Sequence, residues 1–253
     1  MNLELKKFNM KKINSAILEE LSKFESATIQ NAAIFARGYV DLGVDYSGPE
    51  LKCMLPESGT LVGYAMTAEK TVLNRRENAV GSASFYDSIA ETNVPTLAVI
   101  QDIDEPSNRG AVWGDEMAHI LSSIGCIGGV IGGAVRDVPG TATAGCGLWA
   151  TGRVPGHGPS NIVRHGNDVK IAGLKISPGD ILVCDADGVV IVPIDLAQQI
   201  IEFANRVRAK EEETFRFFKQ AKFTNSMYKH WRDQHDDGAW PIGKQPEIPG
   251  NKN

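Results

Sequence analysis

Alternating strand and helix patterns between residues 96 and 137 constrain the fold of this chain more than any other feature. Residues 96–102 form a continuous β-type run, residues 115–124 carry apolar side chains at helical spacing, and residues 127–135 form a second apolar run. Gly125 follows the helical segment, where a glycine commonly ends a helix. A strand, a helix and a second strand in this order predict a βαβ unit with a right-handed crossover and parallel strands.

The composition indicates one substantial core and no charged macromolecular partner. The chain has 253 residues, 42% of them hydrophobic, and a formal net charge of -5, which suffices for one core. Lysines and arginines are scattered, so no basic face indicates nucleic-acid binding. No run approaches the length of a membrane span, and the charged N-terminus lacks the apolar segment of a secretory signal. We therefore expect a cytoplasmic protein that binds neither nucleic acid nor membrane.

The four cysteines favour a reduced protein without a structural zinc site. They lie far apart in the sequence, and no close pair of cysteines or histidines gives the spacing of a zinc site. Such cysteines are typically buried small hydrophobic residues in a reducing compartment. They are Cys53, Cys126, Cys146 and Cys184.

The remaining patterns predict helices at both ends of the chain and strands in its later half. Apolar residues at helical spacing indicate N-terminal helices over residues 12–37 and a further helix over residues 196–215. Two β-branched runs on either side of residues 185–188 predict a hairpin. Residues 140–147 are mostly small and are predicted to form a loop.

Together these elements predict an α/β fold with a single domain. Its strand-rich core covers residues 46–195, and the flanking helices extend the domain to residues 1–217. Residues 218–253 are aromatic and polar and are predicted to form a C-terminal extension with some helix. Aromatic side chains in such an extension are more often packing or oligomer contacts than ligands of a small molecule.

A charged pair ends the second strand of the βαβ unit. Gly132 and Gly133 lie near the end of the apolar run, and Arg136 and Asp137 follow it directly. A guanidinium can bind a carboxylate through two parallel hydrogen bonds, and a carboxylate is a hard oxygen ligand for a divalent cation. The pair therefore suits a site that binds an oxo acid against a metal ion. An isolated pair of this kind is more often a surface salt bridge, so the hypothesis depends on its neighbours.

The helix of the βαβ unit is predicted to begin beside this pair. The first amide groups of a helix are free, and the helix dipole there favours an anion. Parallel strands end at one edge of a sheet, so the helix start and the charged pair should face one cleft. The residues of the helix start are Gly114, Asp115, Glu116 and Met117. The alternative is that Asp115 and Glu116 only stabilise the helix.

Residues 114–117, a helix and residues 128–137 resemble, in this order, the signature of the RraA-like family. That family includes class II 4-hydroxy-4-methyl-2-oxoglutarate and 4-carboxy-4-hydroxy-2-oxoadipate aldolases. It also includes the regulator of ribonuclease activity A and proteins long labelled as demethylmenaquinone methyltransferases. Further segments resemble family motifs in consistent order, namely residues 28–32, 61–67, 178–180 and 185–193.

The resemblance implies a swivelling β/β/α-type fold and a homotrimer or homohexamer with sites between subunits. It implies that Arg136 binds the carboxylate and oxo group of a small oxo acid, and that Asp137 is the direct protein ligand of Mg²⁺ or Mn²⁺. Backbone amides of the helix start, from Gly114 to Met117, would surround the substrate carboxylate. A water of the metal shell, or a carboxylate such as Asp115, Glu116 or Asp187 of a neighbouring subunit, would act as the base.

The chain departs from the family pattern at several positions. Gly140 stands where the aldolases have an acid three residues after the Arg-Asp pair, and Asn31 stands where an aspartate is commoner. Arg164 is a loose counterpart of a later family lysine. Because the ribonuclease regulator lacks the aspartate of the pair, Asp137 argues against that role. The departures bear on the substrate more than on the metal chemistry.

The sequence thus predicts a metal-dependent carbon–carbon lyase. Such an enzyme would cleave a 4-hydroxy-2-oxo acid to pyruvate and a second carbonyl product, and oxaloacetate decarboxylation would be a related activity. The alternative is a non-catalytic regulatory protein of the same family, which would act through its surface and need no metal. A methyltransferase is disfavoured, because no glycine-rich nucleotide fingerprint opens a helix.

Overall fold

The computed structural model describes residues 10–39, 41, 45–220 and 222–235. The helices in this part of the chain are α1 (Ser15–Leu21), α2 (Ser26–Arg37), α3 (Gly81–Ala90), α4 (Asp115–Ser123), α5 (Val138–Thr143), α6 (Ala197–Phe218) and α7 (Asn225–His235). The strands are β1 (Lys52–Cys53), β2 (Leu61–Thr71), β3 (Thr96–Asp102), β4 (Ala111–Trp113), β5 (Cys126–Val135), β6 (Gly147–Arg153), β7 (Asn161–His165), β8 (Val169–Ile171), β9 (Leu174–Ile176), β10 (Ile181–Cys184) and β11 (Val189–Val192).

One mixed sheet organises the fold. Its main path runs β1-β6-β5-β3-β2-β10-β11, and β4 and β7 join it beside β5 and β2. The central strands β2, β3, β5 and β6 are parallel, whereas β1, β7, β10 and β11 pair antiparallel with their neighbours. The predicted α/β class and the predicted late hairpin are confirmed. The hairpin is β10–β11, with Leu182 opposite Ile191.

The short strand β4 follows β3 as the partner of β5 in the sheet. β3 pairs with β5 as far as Gln101 and Gly132, and β4 then pairs with the rest of β5, with Ala111 opposite Ala134. The connection between β3 and β4 leaves the sheet and returns to it. As a result, the chain that enters α4 starts from a strand that lies directly beside the end of β5.

Three buried apolar clusters pack against the sheet. Helices α3, α4 and α5 cover one face, where Phe85, Leu121 and Val138 belong to one buried cluster. Helices α1, α2 and α6 pack against β2, β10 and β11 in a second cluster. The separate hairpin β8–β9 covers the opposite face, where a side chain on Gly132 would lie 2.8 Å from Ile171.

Helix boundaries follow the sequence patterns at both ends of the domain. The predicted N-terminal helices correspond to α1 and α2, and Gly38 ends α2 in the left-handed conformation (φ 86°). The predicted helix over 196–215 is α6, which continues to Phe218. The extension forms α7, and its residues 236–253 lie outside the described part of the chain. None of the helices described here is long and apolar enough to cross a membrane.

Three elements differ from the predictions. The predicted loop 140–147 begins as α5, which accommodates Pro139 within its first turn, where a missing amide hydrogen costs little. The polar segment before α4 contains β4, and residues 81–90 form α3, which the sequence patterns did not indicate. All four cysteines are free, and Cys126, Cys146 and Cys184 are buried as expected.

Candidate functional site

The ends of β4 and β5 bring the predicted site residues together. The Arg136 amide donates a hydrogen bond to the Trp113 carbonyl at 3.0 Å. Gly114 follows Trp113, and a Cβ on this glycine would lie 3.4 Å from both Arg136 Nε and Asp137 Oδ2. The helix start and the charged pair therefore share one small surface, as expected from two parallel strands that end side by side.

Arg136 and Asp137 contact each other but remain accessible. Arg136 Nε lies 3.1 Å from Asp137 Oδ2, and the two side chains are 37% and 44% exposed. A half-exposed pair with one close contact contributes little to stability. Both groups can therefore rearrange to bind a ligand at small cost.

The backbone of Asp137 is held in a left-handed conformation. Its φ and ψ are 52° and 41°, and it precedes the first residue of α5. The Thr141 amide donates to the Asp137 carbonyl at 3.0 Å, which fixes this geometry. The left-handed region costs a residue with a side chain about 1–2 kcal/mol, although aspartate tolerates it better than most. Strain of this kind at a strand end supports a functional role.

The first turn of α4 presents backbone groups and one half-buried carboxylate. The Glu116 amide donates to Asp115 Oδ1 at 2.8 Å, and the Ala118 amide donates to the Gly114 carbonyl at 3.1 Å. Met117 is buried in the core and Glu116 is exposed. The Met117 side chain is therefore not available to a ligand, and one of the amides expected to bind a carboxylate, that of Glu116, is already bonded to Asp115.

Asp115 occupies the space beside Gly140. A Cβ on Gly140 would lie 2.4 Å from Asp115 Cβ and 2.8 Å from Asp115 Oδ2. An acid at position 140 could not coexist with this placement of Asp115, because real Cβ atoms do not approach so closely. The site thus retains a carboxylate next to α5 even though residue 140 is a glycine.

Buried contacts of Trp113 hold these elements in place. Its indole Nε1 donates to Thr141 Oγ1 at 3.1 Å, which ties β4 to α5. A side chain on Gly129 would lie 3.0 Å from the Trp113 ring. The glycine allows the indole to pack directly on β5, and the site is built on rigid elements rather than on a free loop.

Two residues near the site were missed by the sequence analysis. Lys70 donates from Nζ to the Val112 carbonyl at 2.6 Å, and burial, followed by the charge of Arg136, lowers its pKa to about 8. Burial raises the pKa of Tyr86 on α3, and the nearby Glu116 charge acts in the same direction. Lys70 was missed because it lies beyond residues 61–67, the part of β2 that resembles a family motif, and Tyr86 because α3 was not predicted.

Other candidates lie elsewhere. Asp187 and Asn31 line a separate cleft of about 240 Å³ between the start of α2 and the β10–β11 turn. Arg164 forms a two-contact ion pair with Glu69. Arg164 therefore has an intramolecular partner, and within this chain Asp187 does not line the surface that carries Arg136.

The donor set fits a hydrated hard cation better than a closed metal cage. Within the described ranges, no cluster of three or more His, Cys, Asp or Glu residues could enclose a metal ion. Asp137 offers an accessible carboxylate, and water would have to complete the coordination shell. Mg²⁺ keeps several waters and is commonly held by one or two carboxylates, so the residues present are compatible with Mg²⁺ or Mn²⁺.

Comparison with known proteins identifies the family. The family model described as "RraA-like: Aldolase/RraA" matches residues 36–191. The chain belongs to the RraA-like family. This match confirms the resemblance seen in residues 114–117 and 128–137, and it covers the whole βαβ unit and the candidate site.

Individual relatives of this RraA-like protein are distant. It is 27% identical to the protein DlpA of Legionella pneumophila. The matched region covers 62% of this chain but only 25% of the length of DlpA. It is 24% identical to a candidate 4-hydroxy-4-methyl-2-oxoglutarate aldolase of Halalkalibacterium halodurans, over 58% of this chain and 75% of the relative. The structure of Streptomyces coelicolor RraAS2, from the RNase ES inhibitor family, matches with a TM-score of 0.65 and 22% identity, over 81% of this chain and 98% of that one. The last likeness supports the fold alone.

Proposed function

We propose that the protein is a divalent-metal-dependent carbon–carbon lyase that cleaves a 4-hydroxy-2-oxo acid to pyruvate and a second carbonyl compound. The observation that carries this proposal is the meeting of Gly114, Arg136 and Asp137 at the ends of two adjacent parallel strands. A family relative described as a candidate aldolase supports the reaction class. Decarboxylation of oxaloacetate would use the same groups.

Each group of the site has a proposed role in the cleavage. Arg136 binds the substrate carboxylate and 2-oxo oxygen, and the α4 start orients that carboxylate. A divalent ion at Asp137 would supply a Lewis acid that stabilises negative charge on the 2-oxo oxygen. Asp115, beside Gly140, is the carboxylate in this chain that we propose as acceptor of the hydroxyl proton.

The bonds change as in any retro-aldol reaction. The base removes the proton of the 4-hydroxyl group, the C3–C4 bond breaks, and C4 becomes the carbonyl of the second product. The electron pair of the broken bond forms the enolate of pyruvate, which the Arg136 guanidinium stabilises. A proton is then delivered to C3, which gives pyruvate, so no lysine Schiff base is needed.

A coupled pyruvate assay tests the proposal. Purified protein is given oxaloacetate and a panel of 4-hydroxy-2-oxo acids, with Mg²⁺ or Mn²⁺ and with a chelator. We expect pyruvate release that needs the metal and is lost in Asp137→Asn. Asp195→Asn is the control, because it removes a carboxylate that is 83% exposed at the start of the α6 region. Release that continues in Asp137→Asn would overturn the proposal, and no release from any substrate would favour a regulatory role.

The assembly is proposed on the family resemblance alone. We propose a homotrimer or homohexamer whose only small-molecule partner is an oxo acid, with no nucleic-acid partner. Light scattering of the purified chain gives the mass of the assembly. A monomer would require every catalytic group to come from one chain.

A further inference from the structure

Lys70 lies in β2 beside the end of β3, where β4 takes the place of β3 next to β5. It is in register with Asp102, the last residue of β3, and its carbonyl accepts a hydrogen bond from the Ile103 amide at 3.1 Å. Its ammonium group reaches across to the Val112 carbonyl at 2.6 Å. Val112 is two residues before Gly114, so the side chain joins β2 to the segment that begins α4.

Lys70 and Arg136 bond successive carbonyl groups of β4. Lys70 Nζ donates to Val112, and the Arg136 backbone amide donates to Trp113. Arg136 therefore bonds β4 from its paired strand β5, and Lys70 reaches β4 from β2 through its side chain. Their charges interact, since Arg136 is one of the causes that lower the pKa of Lys70.

The positive charge of Lys70 has no carboxylate partner at ion-pair distance among the residues that the structure describes. Asp102 is its neighbour by register, but its two oxygens accept hydrogen bonds from the Asp104 amide at 3.0 Å and the Asn108 amide at 2.9 Å. Like charges held together in a half-buried place are unfavourable unless an anion offsets them. The arrangement therefore favours an anionic ligand beside Lys70 and Arg136.

We propose that Lys70 is a substrate-binding residue whose ammonium group supplies a second positive charge for the carboxylate that Arg136 binds. The inference rests on the proposed function, because it concerns the same site. An ammonium group has three protons to donate, and the bond to Val112 uses one of them. The competing explanation is that Lys70 only satisfies the Val112 carbonyl at the open side of β4.

Binding of oxalate, a planar dianion shaped like the enolate of pyruvate, separates these explanations. Calorimetry in MgCl₂ compares the wild type with Lys70→Arg, Lys70→Gln and Lys70→Met. Arginine keeps the charge and a donor, glutamine keeps a donor without the charge, and methionine keeps neither. Lys170→Met is the matched control, because it removes an exposed lysine from β8 on the opposite face of the sheet.

We expect the oxalate Kd to rise about tenfold in both Lys70→Gln and Lys70→Met, and to stay within about threefold of wild type in Lys70→Arg and Lys170→Met. Thermal unfolding of each variant shows whether it folds; if Lys70→Met does not, the Gln and Arg variants still decide. Oxalate binding in Lys70→Gln equal to that of wild type would overturn the inference.

The same experiment separates this inference from the proposed function. If wild type binds oxalate but releases no pyruvate, the lyase proposal fails, and the variants still decide the role of Lys70. If it releases pyruvate and Lys70→Gln binds oxalate normally, only the Lys70 inference fails. A wild-type protein that binds no oxalate overturns the Lys70 inference outright.

Discussion

Arg164–Glu69 and Arg136–Asp137, two arginine–carboxylate pairs near the ends of central strands, differ in geometry and in the burial of the carboxylate. Arg164 contacts Glu69 through both Nε and Nη2, the latter at 2.8 Å; the Glu69 side chain is 11% exposed, whereas that of Arg164 is 61% exposed. Arg136 contacts Asp137 through one close atom pair, and both side chains are more than a third exposed. In the first pair both carboxylate oxygens are bonded by the guanidinium, whereas in the second a single contact leaves further donors and acceptors for a ligand.

The surroundings of the two pairs differ in the same sense. Arg164 and Glu69 lie in paired positions of β7 and β2, and the register of the two strands shifts only after Glu69. Asp137 has a left-handed backbone, and Gly114 approaches the pair without a side chain. The comparison shows that residue types alone do not distinguish a structural ion pair from a candidate site. The number of contacts within the pair, the backbone strain and the nearness of a helix start distinguish them.

Neutralising Asp137 should give the largest effect. Asp137→Asn keeps the shape and tolerates the left-handed conformation, so the fold should be unchanged. It weakens the proposed metal ligand, and we expect pyruvate release to fall on the order of 10³-fold. Steady-state kinetics measures the loss, and circular dichroism checks the fold. A fall of less than threefold would place Asp137 with the structural pairs.

A methyl group at Gly140 should give the next largest effect. Gly140→Ala places a Cβ about 2.4 Å from Asp115 Cβ, so α5 or the α4 start must shift. We expect a loss of stability of about 1–3 kcal/mol and a fall in kcat/KM of roughly 10- to 100-fold, because small displacements of catalytic groups are costly. Gly156→Ala is the control, since nothing lies within 4 Å of the added atom. Equal activity in both variants would show that the position of Asp115 is irrelevant.

The pH dependence of oxalate binding should show whether Lys70 belongs to the Arg136 site. Burial and Arg136 lower the pKa of Lys70 to about 8, and the neighbouring Asp102 carboxyl has a pKa raised by burial. An anion binds best to the protonated ammonium, so the affinity for oxalate should fall as the pH rises through about 8. In Lys70→Arg this fall should vanish, because a guanidinium stays charged. Titration calorimetry between pH 6.5 and 9.5, a range that brackets this pKa by roughly 1.5 units, gives both curves; parallel curves would exclude Lys70 as the titrating group.

Neutralising Glu69 should have the smallest effect on activity. Glu69→Gln loses the charge of an ion pair with two contacts, and we expect a stability loss of about 0.5–1 kcal/mol, because the Arg164 side chain is 61% exposed. Pyruvate release should stay within about twofold of wild type, because the pair is structural. Urea denaturation and the coupled assay measure the two quantities. A large loss of activity without a loss of stability would contradict the distinction between the pairs.

The sequence predicted the proximity of Arg136 and Gly114 better than it predicted the surrounding elements, for a physical reason. Parallel strands must end at one edge, so the βαβ pattern alone brought Arg136 near Gly114. Residues 111–113 are too few to show an alternating pattern, and the strand β4 was therefore not predicted. Pro139 and Gly140 are poor helix formers, which concealed α5.

The contacts across strands could not be predicted from local patterns. Glu69 and Lys70 are charged residues that follow the apolar part of β2, so local patterns do not indicate that the strand continues to Thr71. Their roles depend on β7 and β4, which lie far away in the sequence. The placement of Asp115 beside Gly140 likewise depends on how α4 and α5 pack, which residue types alone do not specify.

A crystal structure of the protein soaked with Mn²⁺ and oxalate tests the central claim most directly, because the anomalous signal locates the metal. We predict Mn²⁺ bound to a carboxylate oxygen of Asp137, and oxalate between the metal and the Arg136 guanidinium, near the Gly114 turn. Manganese located away from Asp137, with the Arg136–Asp137 contact unchanged, would contradict the account.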